Sequence, residues 1–211
     1  MVPTRRAVHA ATNELVAREP RLAPLLRRAG TCPIGPPSPP SERFAHLVRA
    51  ICFQQLAGKA AATIHARLVA QLGGTVTAAT VLAAPEGSFR AAGVSANKTA
   101  AMRDLAAHVD DGRIRLDRIA RRPDEAVIEE LIQARGVGRW TAQMFLINHL
   151  GRLDVWPIGD LGVRMGHARI FGLADPLPAS ALEPEGERFR PYRSVLAWYC
   201  WRAVDLIPAH Q

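Results

Sequence analysis

The sequence predicts an all-α protein, and three observations support that fold class. Apolar residues recur at intervals of three and four in "DEAVIEELIQAR", "RWTAQMFLINHL" and "YRSVLAWYCWRAV", which is the spacing of one helix face. Alternation of apolar and polar residues, the pattern of a half-buried strand, persists nowhere in the chain. Alanine-rich segments, which favour helices, fill most of the remaining length. We therefore expect about ten or more helices.

The helix boundaries follow from capping residues and helix breakers, taken in chain order. Ser41 precedes "ERFAHLVRAICF" and Ser95 precedes "ANKTAAMRDLAAHV", so each is expected to be an N-cap. Pro123 is expected in the first turn of the helix that follows it. Two proline-containing stretches, "CPIGPPSPPS" (32–41) and "ADPLPAS" (174–180), are predicted connectors because proline cannot continue a helix. Glycines that can end helices follow four of the apolar runs, at Gly73, Gly93, Gly112 and Gly151.

The composition excludes several classes of protein. With 211 residues and 48% hydrophobic content, the chain is globular and long enough for one ordinary core or two small ones. No apolar run reaches membrane-spanning length, and the start "MVPTRRAVHAATNELVARE" lacks the apolar core of a signal peptide. Three widely spaced cysteines cannot form a disulfide framework or a four-cysteine metal site. We expect a cytoplasmic protein with no membrane partner and no cofactor, associated with the nucleoid if it is bacterial.

The charge of the chain suggests a polyanionic partner. Its formal net charge is +8, which favours nucleic acid. However, all but two of the 27 basic residues are arginine, so coding bias explains the same composition equally well. The two exceptions, Lys59 and Lys98, are the only side-chain amines in the sequence.

A glycine-flanked valine, Gly136-Val137-Gly138, interrupts two helix-patterned runs in "LIQARGVGRWTAQMFLINHL". One interpretation is a tight turn in which the glycines only cap helices. The other is a hairpin with Val137 in its corner, whose backbone N–H groups from Gly138 onward bind a phosphate at the positive end of the second helix. Glycines let a DNA backbone approach without their side chains reading its sequence. The residues alone leave both interpretations open.

Several collinear motifs resemble the helix-hairpin-helix DNA glycosylases. The segment "LIQARGVGRWTAQMFL" followed by "DVWPIGDLGVRMG" resembles the hairpin and the acid that follows it in that superfamily. Further blocks resemble the alkylated-base, or 3-methyladenine DNA glycosylase II, branch: "RAICFQQLAGKAAATI" (49–64), "GVSANKTAAMRDLA" (93–106) and "RPYRSVLAWYCWR" (190–202). The resemblance extends over residues 42–202 and is to the compact form, without the N-terminal β domain of the larger bacterial members.

The resemblance implies two helical lobes with an active-site cleft between them. One lobe, 42–158, would carry the hairpin, and the other, 1–41 plus 159–211, would carry the catalytic acid. A base flipped out of the duplex would lie in the cleft. The implied DNA-binding residues are Gly136, Val137, Gly138, Arg139 and Thr141. Hairpin carbonyls near Ala134 and Val137 are candidate ligands for a monovalent cation.

Asp160 is the candidate catalytic residue. It lies 22 residues after Gly138 and directly before "LGVRMGHARIF", so the local pattern alone predicts an N-cap, whereas the resemblance implies catalysis. A helix start favours negative charge, and an anion there would stabilise the oxocarbenium-like sugar and activate water. An alkylated purine already carries positive charge, so one carboxylate suffices. Asp154 is the nearest other acid, and Gly159 stands where many relatives have a second one.

The resemblance also implies a wedge and a base pocket. Gln55 matches the intercalating residue, with Leu56 beside it, although a buried helix end would explain both residues equally well. Trp140 and Trp201 match pocket tryptophans, whose ring faces attract cationic bases. Met144 stands where relatives often have a tyrosine.

The function expected is that of a monomeric, monofunctional DNA glycosylase that excises alkylated bases such as 3-methyladenine from duplex DNA in base excision repair. No strand cleavage is expected, because Trp140 occupies the position of the lysine that forms a Schiff base in bifunctional relatives. Lys59 and Lys98 match no nucleophile position and are expected to be solvated. The alternatives are a non-catalytic helix-hairpin-helix DNA-binding protein, which would not need Asp160, and a glycosylase for mismatched or deaminated bases, which the missing cluster cysteines disfavour.

Overall fold

The prediction of an all-α fold is confirmed. The computed structural model describes residues 4–208, which form twelve α-helices and three short 3-10 turns without a strand. The helices, α1 to α12, are Arg5–Arg18, Ala23–Ala29, Pro40–Phe53, Gly58–Gln71, Ala78–Ala83, Glu86–Ala92, Ala96–Asp110, Asp124–Leu131, Arg139–His149, Leu161–Phe171, Ala179–Glu185 and Arg193–Leu206. Within this described part of the chain, no helix is both long and apolar enough to cross a bilayer.

The predicted helix starts are confirmed at one position and displaced at two. Ser95 is the N-cap of α7, and its hydroxyl accepts the backbone N–H of Lys98 at 3.5 Å. Ser41 is not an N-cap, because α3 already begins at Pro40. Proline has a fixed φ that suits the first helical position, so the helix starts two residues earlier than an N-cap at Ser41 would place it. Pro123 is itself the N-cap of α8 and not part of its first turn.

The chain divides into two compact units. One consists of residues 38–145, and the other combines the segment that ends at Pro37 with the segment that begins at Leu146. The first division falls in the proline-rich connector predicted at 32–41, and the second falls within α9. In the 38–145 unit, α7 packs against α3 and α5, and α4 packs against α3 and α6. The core of this unit consists of fully buried apolar side chains, including Leu47, Ile51, Leu68, Phe89, Met102 and Leu105.

The other unit is organised around α12, which packs against α1, α2 and α10. The contact between α10 and α12 is close enough to require glycine, since a Cβ at Gly166 would lie 1.9 Å from the carbonyl oxygen of Cys200. The phenol of Tyr199, fully buried on α12, donates to the carbonyl of Gly30 after α2 at 3.0 Å. These contacts fix the two helices that carry the predicted acid and one pocket tryptophan.

All three cysteines are buried as free thiols. Burial raises the pKa of Cys32 to about 12 and also raises the pKa values of Cys52 and Cys200, because a thiolate is poorly solvated in an apolar interior. No cysteine is therefore a nucleophile at neutral pH.

Candidate functional site

The hairpin of the 38–145 unit connects α8 to α9, and its two glycines serve different purposes. Gly136 has a φ of +76°, and a Cβ on it would lie 2.9 Å from the Cβ of Ala101 on α7, so the turn requires glycine for its conformation and for space. A Cβ on Gly138 would meet no atom within 4 Å. Val137 between them is only 4% exposed and donates its N–H to the carbonyl of Ala134 at 3.1 Å. The hairpin thus has a buried valine corner and an open face at Gly138.

The side chains predicted to contact DNA around this hairpin differ in their environments. Arg139, the first residue of α9, is exposed and forms two hydrogen bonds to the carboxylate of Glu125, at 2.6 and 2.8 Å. This guanidinium lowers the pKa of Glu125. The side chain of Thr141 is interior, and its hydroxyl accepts an N–H of the Gln54 amide at 3.4 Å. Arg139 is therefore accessible to a ligand, whereas the Thr141 side chain serves the internal packing of the hairpin.

The sequence analysis suggested one possible cation site, formed by hairpin carbonyls near Ala134 and Val137. The carbonyl of Ala134 accepts the N–H of Val137, and the carbonyl of Gly136 accepts Nε2 of Gln54 at 2.9 Å. Among residues 4–208 no group of three or more His, Cys, Asp or Glu side chains could hold a metal ion. A carbonyl oxygen has two lone pairs, so these hydrogen bonds do not decide whether the carbonyls near Ala134 and Val137 bind a monovalent cation, and that site stays a prediction.

The residues predicted as the wedge lie in the loop between α3 and α4, Gln54–Ala57, which we call the wedge loop. Gln55 is exposed with a φ of +56°, the one non-glycine residue with positive φ in the described chain. The neighbouring Leu56 side chain is 41% exposed. Gln55 and Leu56 are thus not part of a buried helix end, which was the alternative interpretation. The apolar side chain of Leu56 is only partly covered by the protein.

Two of the predicted pocket residues lie on α9. Trp140 is 47% exposed, and Met144 is half-buried. A separation of four residues places their side chains on the same face of the helix. The 38–145 unit thus carries the hairpin, the wedge loop and two of the pocket side chains.

Asp160 and Trp201 are in direct contact in the other unit. Asp160 is the N-cap of α10, and its Oδ1 accepts the backbone N–H of Val163 at 2.8 Å. The same oxygen accepts the indole N–H of Trp201 on α12 at 3.0 Å. A Cβ on Gly162 would lie 3.0 Å from Cδ1 of Trp201 and 3.1 Å from Oδ1 of Asp160, so the missing side chain leaves room for this contact. The sequence predicted the N-cap, but it gave no signal for the hydrogen bond from the indole.

Asp154, the nearest other acid in the sequence, is held in an ion-pair network. Its carboxylate accepts hydrogen bonds from the guanidinium groups of Arg190 and Arg193, both at 2.8 Å. Glu187 binds the same two arginines, and they lower its pKa. Asp154 thus has a structural role in joining α12 to the segment before α10.

Lys98 is not solvated, which corrects the expectation for this residue. Its half-buried ammonium donates to the carbonyl of Cys52 at 2.7 Å and to the carbonyl of Gln54 at 2.8 Å. Lys59, near the start of α4, is exposed as expected. Sequence analysis missed the role of Lys98 because nothing in "SANK" indicates that the side chain reaches the end of another helix.

Comparison with known proteins places this arrangement in context. Residues 48–190 match the family model described as "HhH-GPD superfamily base excision DNA repair protein". The DNA-3-methyladenine glycosylase 1 of Schizosaccharomyces pombe is 33% identical over 168 residues, which are 78% of this chain and 74% of that protein.

Two solved structures are similar in fold and in sequence. A DNA-3-methyladenine glycosidase from Bacillus halodurans aligns with a TM-score of 0.81 and 32% identity, covering 93% of this chain and 89% of that chain. The S. pombe 3-methyladenine DNA glycosylase Mag1, in complex with abasic DNA, aligns with a TM-score of 0.81 and 29% identity, covering 93% and 97%.

Proposed function

The chain belongs to the HhH-GPD superfamily of base excision DNA repair proteins, and from this premise we propose that it excises alkylated bases such as 3-methyladenine from duplex DNA by hydrolysing the N-glycosidic bond. The observation that carries the proposal is the setting of Asp160, a carboxylate at a helix start that is also held by an indole N–H. The names of its relatives support alkylated bases as the substrate class.

In the proposed reaction, Asp160 supplies negative charge next to the sugar. As the N-glycosidic bond breaks, its electron pair goes to the cationic base, which leaves neutral, and positive charge develops at C1′ of the sugar. A water oxygen then bonds to C1′ and loses a proton to the carboxylate or to solvent. The two hydrogen bonds to Oδ1 of Asp160 fix the carboxylate before the charge develops, and such preorganisation is usually the largest source of catalysis.

The hairpin and wedge loop would bind and open the duplex. The open backbone at Gly138 and the start of α9 would contact a phosphate, with Gly136, Val137 and Thr141 shaping the hairpin and the exposed Arg139 contributing positive charge. Gln55 and Leu56 would fill the gap left by the flipped base. Trp140 and Met144 on α9 would contact the flipped base, as would Trp201 beside Asp160. One chain supplies all these parts, which supports action as a monomer.

Asp160→Asn tests the proposal. Asparagine is as good an N-cap as aspartate, so α10 should begin as before while the negative charge is lost. We expect single-turnover excision of 3-methyladenine to fall at least ~100-fold, with the affinity for lesion DNA retained. Asp205→Asn is the matched control, because Asp205 is an exposed acid on α12. Near wild-type excision by Asp160→Asn would refute the catalytic role, and absence of excision by the unmodified protein would refute the function.

A further inference from the structure

The wedge loop has a backbone conformation that its sequence does not favour. Gln54 has φ and ψ of −55° and 131°, and Gln55 follows with φ of +56°. This succession is similar to a type II turn, whose third position is normally glycine. A glutamine there is strained, and such residues persist only where surrounding contacts over-determine the backbone. The contacts that hold this loop are therefore of functional interest.

Lys98 provides the first of these contacts. Its ammonium bonds the carbonyls of Cys52, in the last turn of α3, and Gln54, the C-cap of that helix. The last carbonyls of a helix lack intrahelical partners and carry the negative end of the helix dipole. The ammonium of Lys98 thus binds the backbone at two of the three residues that precede Gln55.

The second contact joins the wedge loop to the hairpin, where Nε2 of Gln54 donates to the carbonyl of Gly136 at 2.9 Å. The hairpin is in turn held by the same helix that carries Lys98. Ala101 lies against Gly136, and the carboxylate of Asp104 accepts the backbone N–H of Arg135 at 2.7 Å. Helix α7 therefore contacts both segments: Lys98 binds the wedge loop, and Ala101 and Asp104, one and two turns further along, contact the hairpin.

We propose that Lys98 is a positioning residue whose ammonium holds the wedge loop in the shape that presents Gln55 and Leu56 to the duplex. Helix α7 then fixes the position of the wedge loop relative to the hairpin. The site at which the hairpin binds the DNA backbone would therefore determine where Gln55 and Leu56 enter the duplex. The inference rests on the proposed function for its consequences on DNA, but its effect on the loop is measurable in the free protein.

The first experiment measures the free protein by ¹⁵N relaxation. Lys98→Met keeps the aliphatic stem and removes the three donors, and Lys59→Met, at the only other lysine, is the matched control. We expect the backbone order parameters of Gln55 and Leu56 to fall in Lys98→Met from about 0.85 to below about 0.6, and to stay unchanged in Lys59→Met. Lys98→Arg keeps a cation with several donors and should restore most of the order. If Lys98→Met does not fold, the neutral Lys98→Gln takes its place as the variant without a cation. Unchanged order parameters in the variant without a cation would overturn the proposal.

The second experiment is a double-mutant cycle on excision. Lys98→Met and Leu56→Ala should each lower single-turnover excision about tenfold, and the double variant should be no slower than the slower single variant, because both changes remove the same wedge. Losses that multiply to about 100-fold would overturn the proposal. So would a fall of about 0.9 in the log–log salt slope of Lys98→Met on undamaged duplex, which is the sign of a direct phosphate contact. If the unmodified protein excises nothing, the proposed function fails while the relaxation experiment still decides the role of Lys98.

Discussion

The indole N–H of Trp201 and Oδ1 of Asp160 are joined by a hydrogen bond of 3.0 Å, although the residues lie 41 positions apart in the chain. This contact ties the orientation of the ring to that of the carboxylate. The tryptophan that the family resemblance implies as a surface for cationic bases thus also fixes the orientation of the acid.

Two substitutions at Trp201 separate these tasks. Trp201→Phe retains an aromatic face but removes the donor. Excision of cationic and neutral lesions should therefore fall equally, by about ten- to a hundredfold, since a hydrogen bond to a charged group contributes about 1.5–3 kcal/mol. Trp201→Ala also removes the ring, and a desolvated cation–π contact worth on the order of 2 kcal/mol should then cost cationic lesions further tens of fold. Single-turnover rates on both lesion classes measure this. A wild-type rate for Trp201→Phe would show that the hydrogen bond is dispensable.

Gly162→Ala should disturb the contact between Asp160 and Trp201. Its Cβ would lie 3.0 Å from the indole and 3.1 Å from the carboxylate, so one of them must shift by a few tenths of an ångström. We expect excision to fall several-fold with little change in the melting temperature. Gly159→Ala is the control, because a Cβ there meets no atom within 4 Å. Equal rates for the two variants would contradict this account.

Gly138 offers a test of the hairpin that leaves the protein fold intact. Because the space around it is open, Gly138→Leu should fold normally but weaken binding to all duplexes similarly, since phosphate contacts position without specifying sequence. Binding of the unmodified protein should fall steeply with salt, by roughly 0.9 in the log–log slope for each phosphate neutralised. Fluorescence anisotropy over a salt series measures both effects. A loss confined to one DNA sequence would argue against a phosphate contact at Gly138.

The positions of the two lysines predict release of free base from an intact strand. A glycosylase that also cuts the strand forms a Schiff base through a lysine beside the sugar, and the family resemblance implies that Trp140 stands in that lysine's place. Lys98 is bonded to two carbonyls. Borohydride added during turnover should therefore trap no protein–DNA adduct. An adduct that disappears in Lys59→Ala or Lys98→Ala would show strand-cleaving chemistry.

His167 on α10 predicts that stability falls in mild acid. The imidazole is 2% exposed, and neither ring nitrogen has a hydrogen-bond partner among the described residues. Burial is the main reason why its pKa is lowered to about 4; Arg188 and Arg21 lower it further, and Glu185 opposes them. Between about pH 6.5 and 4 the unfolded chain binds a proton that the folded one does not. Stability should therefore decline as pH falls through that range, by roughly 3 kcal/mol in all.

Urea unfolding at a series of pH values measures this decline, and His167→Leu is the comparison. The leucine variant should lose most of the pH dependence in that range while it retains the fold, because no hydrogen bond is removed. An identical pH dependence in both proteins would assign the effect to other groups.

The sequence predicted those structural features that depend on residues close together in the chain. Helical periodicity predicted the fold class, and the acid before "LGVRMGHARIF" predicted the N-cap at Asp160. Contacts between distant segments could not be predicted in this way: the ammonium of Lys98 reaches Cys52, 46 residues earlier, only because α7 packs on α3. The positive φ of Gln55 was equally hidden, since its turn contains none of the residues that usually mark one.

The buried cysteines have a consequence for an enzyme that works where methylating electrophiles are present. Such reagents react with thiolates much faster than with thiols, and a raised pKa keeps Cys32, Cys52 and Cys200 protonated. None of the three is exposed to solvent. The three cysteines therefore present no thiolate to the chemicals whose DNA lesions the protein removes, and it should remain active through an exposure that would inactivate a repair enzyme dependent on a reactive cysteine.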